Sequence, residues 1–162
     1  MDGRRELFKS FTNRVDQERL LVRPPYFREY IDFESCKSCE DRRCISACPE
    51  KIIVVAQDGS VTLDFSKNGC SFCDECANLC EAGVLSLENS HTSSRLNAIF
   101  QIDFNRCVAH HGVICSSCRE PCIDDAILFN GLFNPVIDSA KCTSCGFCIS
   151  RCPTSAIEYS VK

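Results

Sequence analysis

The sequence has no apolar run approaching the ~18 residues of a membrane-spanning helix, so no span is expected. It has no basic block, and its formal net charge is −4, which argues against nucleic acid as a partner. Basic residues are frequent near the start, but Asp2, Glu6, Asp16, Glu18 and Glu29 largely offset them. The marks of a catalyst are missing as well. There is no P-loop, no G-x-G-x-x-G after a strand, no C-x3-C-x2-C triad of the radical enzymes and no Ser/His/Asp set. An enzyme is therefore not expected. Large apolar residues are scarce: hydrophobic content is 44%, but that figure counts 16 cysteines among 162 residues. Without them too little remains for two independent small cores, because small domains bury a poor fraction of their surface. Something else must staple the chain, and the candidates are disulfides, zinc and iron–sulfur clusters.

Disulfides need an oxidising compartment and normally an export signal. The start, with Arg4-Arg5, superficially resembles a twin-arginine signal. A real signal needs an apolar stretch next, and this one runs into Thr12, Asn13, Arg14, Asp16, Gln17, Glu18 and Arg19. The reading is a cytoplasmic protein with reduced thiols.

The cysteines form four groups of four: Cys36, Cys39, Cys44, Cys48; Cys70, Cys73, Cys76, Cys80; Cys107, Cys115, Cys118, Cys122; and Cys142, Cys145, Cys148, Cys152. The second and fourth groups are regular C-x2-C-x2-C-x3-C. The first carries two extra residues before its third cysteine, and the third carries five before its second. Cys36 and Cys107 are offset by 71 residues, Cys70 and Cys142 by 72, so the chain repeats itself. Asp32, Asp103 and Asp138 each precede a group's first cysteine by four residues, and Ile53, Leu85, Ile127 and Ile157 follow a last cysteine by five. Each unit reads as short strand, cysteine loop, a helical turn or two, short strand. Asp58-Gly59 and Asn130-Gly131 suit the positive φ angles of tight hairpins. Two units then make β-α-β-β-α-β, and the fold class is α+β, two such modules in tandem. The boundaries predicted are an N-terminal extension over 1–28, modules over 29–87 and 98–162, and a polar linker over 88–97.

Three cysteines within seven residues can curl around three corners of a cubane, while the fourth points away along a short helix. In two-cluster ferredoxins that fourth cysteine ligates the other cluster. The ligand sets expected are Cys36, Cys39, Cys44, Cys80; Cys70, Cys73, Cys76, Cys48; Cys107, Cys115, Cys118, Cys152; and Cys142, Cys145, Cys148, Cys122. They would hold four [4Fe–4S] clusters, or three if the stretched third group is empty. Structural zinc prefers two C-x2-C-like pairs separated by a loop, a poorer match. His110 and His111, inside the enlarged third group, are candidates for ligation or for tuning a cluster by hydrogen bonding, or are simply exposed. Cys48-Pro49 and Cys152-Pro153 keep the Cys-Pro step common in ferredoxins, whereas Cys80-Glu81 and Cys122-Ile123 lack it. Near the start, Leu7, Phe8, Phe11 and Val15 recur at helical spacing. Their stripe either packs on the cluster modules or docks a partner.

The sequence resembles the NapF-type ferredoxins, accessory iron–sulfur proteins of periplasmic nitrate reductase systems. The resemblance rests on Arg4-Arg5, on Arg23-Pro24-Pro25 before an aromatic, on Cys70-Ser71-Phe72-Cys73, on the stretched third group, and on Cys142 to Cys152 followed by Ala156-Ile157. It runs over nearly the whole chain. It implies a cytoplasmic protein that contacts the molybdenum-containing nitrate reductase catalytic subunit before export and helps mature it, by supplying electrons or assisting cluster assembly. One departure bears on the first cluster's potential and stability: C-x2-C-x4-C stands where the family pattern has C-x2-C-x2-C. A second reading, an electron-relay subunit of a stable oxidoreductase complex with other redox proteins as partners, uses the same cysteines.

Overall fold

The Asp-Gly and Asn-Gly dipeptides close two hairpins. In the computed structural model, which describes residues 21–162, β1 (Ile53–Val55) pairs antiparallel with β2 (Val61–Leu63), Ile53 opposite Leu63. Gly59 takes φ 85° at the turn. After β3 (Ala98–Ile102), β4 (Ile127–Asn130) pairs with β5 (Phe133–Ile137) around Gly131 at φ 65°. Only glycine takes such angles without strain. The outer strands close each half differently. In the second half β3 runs antiparallel to β6 (Ile157–Val161), Ala98 opposite Val161 and Ile102 opposite Ile157. In the first half the counterpart shrinks to one bridge, Phe27 with Leu85.

The first half makes up for its short ladder with side chains. The Tyr26 carbonyl accepts from the Ser86 N–H at 2.8 Å and from Asn89 Nδ2 at 2.7 Å, while Thr92 Oγ1 donates to the Phe27 carbonyl at 2.7 Å. Phe27 packs on Tyr30 and Phe33, with ring centroids 5.0 and 5.3 Å apart. The segment over 88–97 is thus fastened along its length. Arg95 reaches the Ala140 carbonyl, and the Leu96 N–H donates to that of Thr143.

The helices are single turns: α1 (Glu34–Lys37), α2 (Arg43–Ala47), α3 (Glu75–Asn78) and α4 (Phe147–Arg151). Helices this short do not hold themselves in water, so their surroundings must fix them. The third cysteine group departs from the expected pattern. Among the described residues no α-helix lies between Cys107 and Cys122. A hydrogen-bonded turn runs instead from Ser116 to Cys122, with the Arg119 N–H on the Ser116 carbonyl at 2.9 Å. Pro121 explains the difference, since it has no N–H and its ring blocks a continuing helix. Among the described residues no helix is long and apolar enough to cross a membrane.

One core serves both halves. Phe65 of the first half stacks edge-on against Phe100 and Tyr159 of the second, at 5.6 and 5.4 Å. Such pairs add about 0.5–1.5 kcal/mol each beyond the area they bury. Arg23 ties the N-terminal approach to the first half. It is fully buried, its Nη1 donates to Ser60 Oγ at 2.6 Å and the Val61 carbonyl at 2.7 Å, and its guanidinium lies 4.3 Å over Phe33. Its backbone N–H donates to Asn97 Oδ1 at 2.8 Å. The stripe of Leu7, Phe8, Phe11 and Val15 lies outside the described residues.

Candidate metal centres

The chain folds its cysteines around four cavities. The first is lined by Cys36, Cys39, Cys44 and Cys80, and the second by Cys48, Cys70, Cys73 and Cys76. Cys107, Cys115, Cys118 and Cys152 line the third. Cys122, Cys142, Cys145 and Cys148 line the fourth. Each takes three cysteines from one sequence group and the last from the neighbouring group. The four are alike in size, with 310 to 380 Å³ of space free of protein atoms, mouths included.

Backbone conformation produces this curl. Arg42, Asp74 and Gly146 each sit two residues before a third cysteine, and all are left-handed, at φ 44°, 67° and 88°. Lys51, Gly83, Asp125 and Ser155 each sit three residues after a last cysteine, and all four are left-handed too, at φ 54°, 67°, 49° and 50°. Only one of the four is glycine, and left-handed backbone costs a non-glycine residue about 1 kcal/mol or more. The turn is set by what the cysteines must surround.

Tyr26, at φ 73° after the two prolines, shapes the second cavity's loop. Its hydroxyl donates to the Phe72 carbonyl at 3.0 Å and contacts the Asp74 carboxylate. Burial and that carboxylate raise its pKa, so it remains a neutral donor. In the sequence Tyr26 is only an aromatic after Pro24-Pro25, with nothing to place it at a site. His110 and His111 turn elsewhere: His110 Nε2 meets the Pro135 carbonyl and His111 Nε2 the Asn105 carbonyl, each at 3.0 Å. Neither lines any of these four cavities.

Burial makes several of the sulfurs poor sites for negative charge unless cations lie beside them. Burial pushes the Cys36 thiol up to about 12, and the neighbouring Cys80, Cys44 and Cys39 add repulsion. Burial likewise pushes Cys70 and Cys76 up to about 12 and Cys118 to about 11. Cys152 goes the other way. Burial works against its thiolate, but N–H groups of Ala156 and Thr154 outweigh it, and its pKa is lowered. Backbone N–H groups also reach other sulfurs: Leu85 to Cys80 Sγ at 3.4 Å, Ala126 to Cys122 Sγ at 3.3 Å and Ser144 to Cys142 Sγ at 3.3 Å.

This arrangement fits a multi-iron cluster. Among the described residues no three His, Cys, Asp or Glu side chains close in to the range of a single ion. The four cysteines of each set line one shared cavity instead, which suits the four irons of a cubane better than a zinc ion, which draws four ligands onto one point.

Fold and site together define the class: a ferredoxin-type iron–sulfur protein, an electron carrier. The 4Fe-4S binding domain family matches residues 135–158. The ferredoxin-type protein NapF of Escherichia coli K12 is 33% identical over 84% of this chain and 82% of its own. NapF of Haemophilus influenzae is 27% identical over 96% and 88%. The ferredoxin-type protein NapG of Haemophilus influenzae is 26% identical over 84% of this chain and 56% of its own. The chain belongs to the NapF family of ferredoxin-type proteins.

Proposed function

We propose that the chain binds four [4Fe–4S] clusters in two tandem ferredoxin-like modules and acts in the cytoplasm on the periplasmic nitrate reductase catalytic subunit before export. The observation that carries this reading is the lining of each cavity by three cysteines of one group and the last of its neighbour. Cys36, Cys39, Cys44 and Cys80 would hold one cluster, Cys48, Cys70, Cys73 and Cys76 the next. Cys107, Cys115, Cys118 and Cys152 would hold the third, and Cys122, Cys142, Cys145 and Cys148 the fourth. Each bound cluster supplies a one-electron site. The chain's own part is to exclude water with Ile52, Leu63 and Ile127, and to aim N–H groups at sulfurs that gain charge on reduction. The partner comes from membership of the NapF family, and sixteen cysteines committed to clusters leave no iron open for a substrate.

Anaerobically purified protein should carry about sixteen irons and sixteen sulfides, four of each per cubane. About twelve would leave one stretched group empty, and zinc without iron would end the reading. Cys80→Ala should damage the site of Cys36, Cys39 and Cys44 more than that of its own group. A tagged chain from nitrate-respiring cells should retain the molybdenum-containing catalytic subunit. A chain starting at Leu21 should keep its iron and lose that capture if the first twenty residues are the docking element.

A further inference from the structure

Within each half, neighbouring sites are linked through a single turn. Cys44 and Cys48 flank the end of α2 and face different cavities, as do Cys76 and Cys80 around α3. In the second half the same holds for Cys148 and Cys152 around α4, and for Cys118 and Cys122. These links make two pairs. They do not say how the pairs meet.

One contact does. Among the described residues a single backbone hydrogen bond joins a cysteine of one half to a cysteine of the other: the Cys70 N–H donates to the Cys145 carbonyl at 2.6 Å. Cys70 lines the second cavity and Cys145 the fourth. Two glycines permit the approach. A Cβ on Gly69 would stand 2.6 Å from the Cys145 carbonyl oxygen and collide with the Phe147 nitrogen. A Cβ on Gly146 would collide with the Phe65 ring. The internal repeat puts Lys141 at the place of Gly69 and Asp74 at the place of Gly146. The cysteine loop itself therefore does not require glycine at either place, since Lys141 and Asp74 stand there in the other half. Glycine is what lets the halves touch.

Resting on the four-cluster reading, we propose that this junction is the electron crossing between the halves, so that the four sites form one file. The file runs from the set of Cys36 to that of Cys70, across to that of Cys145, and on to that of Cys107. An electron crossing the junction oxidises the site on one side and reduces the site on the other, with no atom or proton exchanged. The outer sites reach the opposite half only through the inner ones.

The test is electron paramagnetic resonance of the full chain reduced with dithionite, with iron and sulfide measured on the same samples. Cys145→Ser keeps an oxygen ligand at the inner site of the second half, and Cys115→Ser does so at the outer site. The expected result is a changed magnetic interaction in the signal of the Cys70 site on Cys145→Ser and none on Cys115→Ser. Equal effects of the two, or no effect of either while the iron content stays full, overturn the single file. Should Cys145→Ser lose its cluster, Gly69→Ala decides. It forces Cys70 and Cys145 apart, and should weaken the interaction between halves while each half keeps its own internal pairing. An unchanged interaction overturns the proposal. A wild-type chain with four full clusters separates these outcomes from failure of the cluster assignment, which would show as missing iron at an inner site and overturn both.

Discussion

The two halves repeat one motif but protect their sulfurs differently. In the first half Cys36, Cys44, Cys48, Cys70 and Cys76 are buried, whereas in the second only Cys145 and Cys148 are. The second half compensates with more backbone donors: N–H groups reach Cys122, Cys142, Cys145 and, from three residues at once, Cys152, against Cys44, Cys70 and Cys80 in the first. Burial and hydrogen bonding act oppositely on an added electron. A dry site penalises the extra charge, and an N–H aimed at sulfur offsets it. One sequence pattern thus yields two electrostatic settings, and the difference lies in what surrounds the cysteines.

The largest effect should come from removing the metal, which erases the comparison. The single shared core and one-turn helices leave little to hold either half, and ligand binding supplies folding free energy in small metallo-domains. Exhaustive iron chelation should abolish near-ultraviolet circular dichroism and any cooperative thermal transition. Under limiting chelator the more exposed second half should lose iron first, read by which group's cysteines become alkylated. A sharp thermal transition in the apoprotein contradicts the first part, and first-half alkylation leading contradicts the second.

Arg23→Ala should strike the first half. The substitution removes two charge-assisted hydrogen bonds, to Ser60 and Val61, and a cation stacked on Phe33. The loss should be about 3 kcal/mol, at the upper end for hydrogen bonds to a charged group. Urea should then release the first half's iron well before the second's, reversing the chelator order. Coincident loss from both halves would mean that Arg23 serves the shared core and not its own half.

Reduction should sharpen the comparison less strongly. If each N–H on a sulfur favours the reduced state by about 1 kcal/mol, it raises a one-electron potential by about 40 mV, at 59 mV per tenfold. The second-half sites should therefore reduce first in a potentiometric titration followed by electron paramagnetic resonance. First-half signals appearing at the higher potential would show that burial and backbone donors do not set the order of reduction.

Much of this was legible in the sequence, for local reasons. The cysteine spacing points to which sulfurs face the same cavity, since three residues of spacing fix a curl and a fourth on a helix points away. The hairpins follow from Asp58-Gly59 and Asn130-Gly131, whose turn chemistry is contained in the dipeptide. What was illegible depends on distant partners. Arg23 reads as a basic residue before two prolines, and only the fold reveals Ser60, Val61 and Phe33 around it. Lys51, Asp125 and Ser155 carry no mark of left-handed backbone, which the surrounding cysteine loops impose. Gly69 and Gly146 look like ordinary loop glycines until the opposite half is in place. The missing helix after Cys118 was within reach, because Pro121 announces it.

The smallest effect separates the two hairpins. At the first turn Asp58 Oδ1 accepts from the Ser60 N–H at 2.9 Å and the Ser60 hydroxyl at 2.6 Å, and its other oxygen lies 3.9 Å from Arg23 Nη2. The second turn has the neutral Asn130 at its corner. Burial works against the Asp58 carboxylate, but the Ser60 bonds, Arg23 and Lys37 outweigh it and hold its pKa below the usual value. A lowered carboxylate contributes stability above the unfolded value of about 3.9, and that contribution fades as pH falls through the lower folded value. Asp58→Asn makes the first turn like the second. An amide oxygen can still accept from Ser60, so only the charge is lost, and Asp58 is partly exposed. The cost should be roughly 0.5 kcal/mol, in the range of solvent-screened pairs. Because Asp58 stays ionised from pH 7 to about pH 5, the difference in urea midpoint between variant and wild type should be the same at both. A difference that shrinks over that interval would mean the Asp58 carboxyl titrates higher than its partners allow, and the two turns would then differ in pH response as well as in charge.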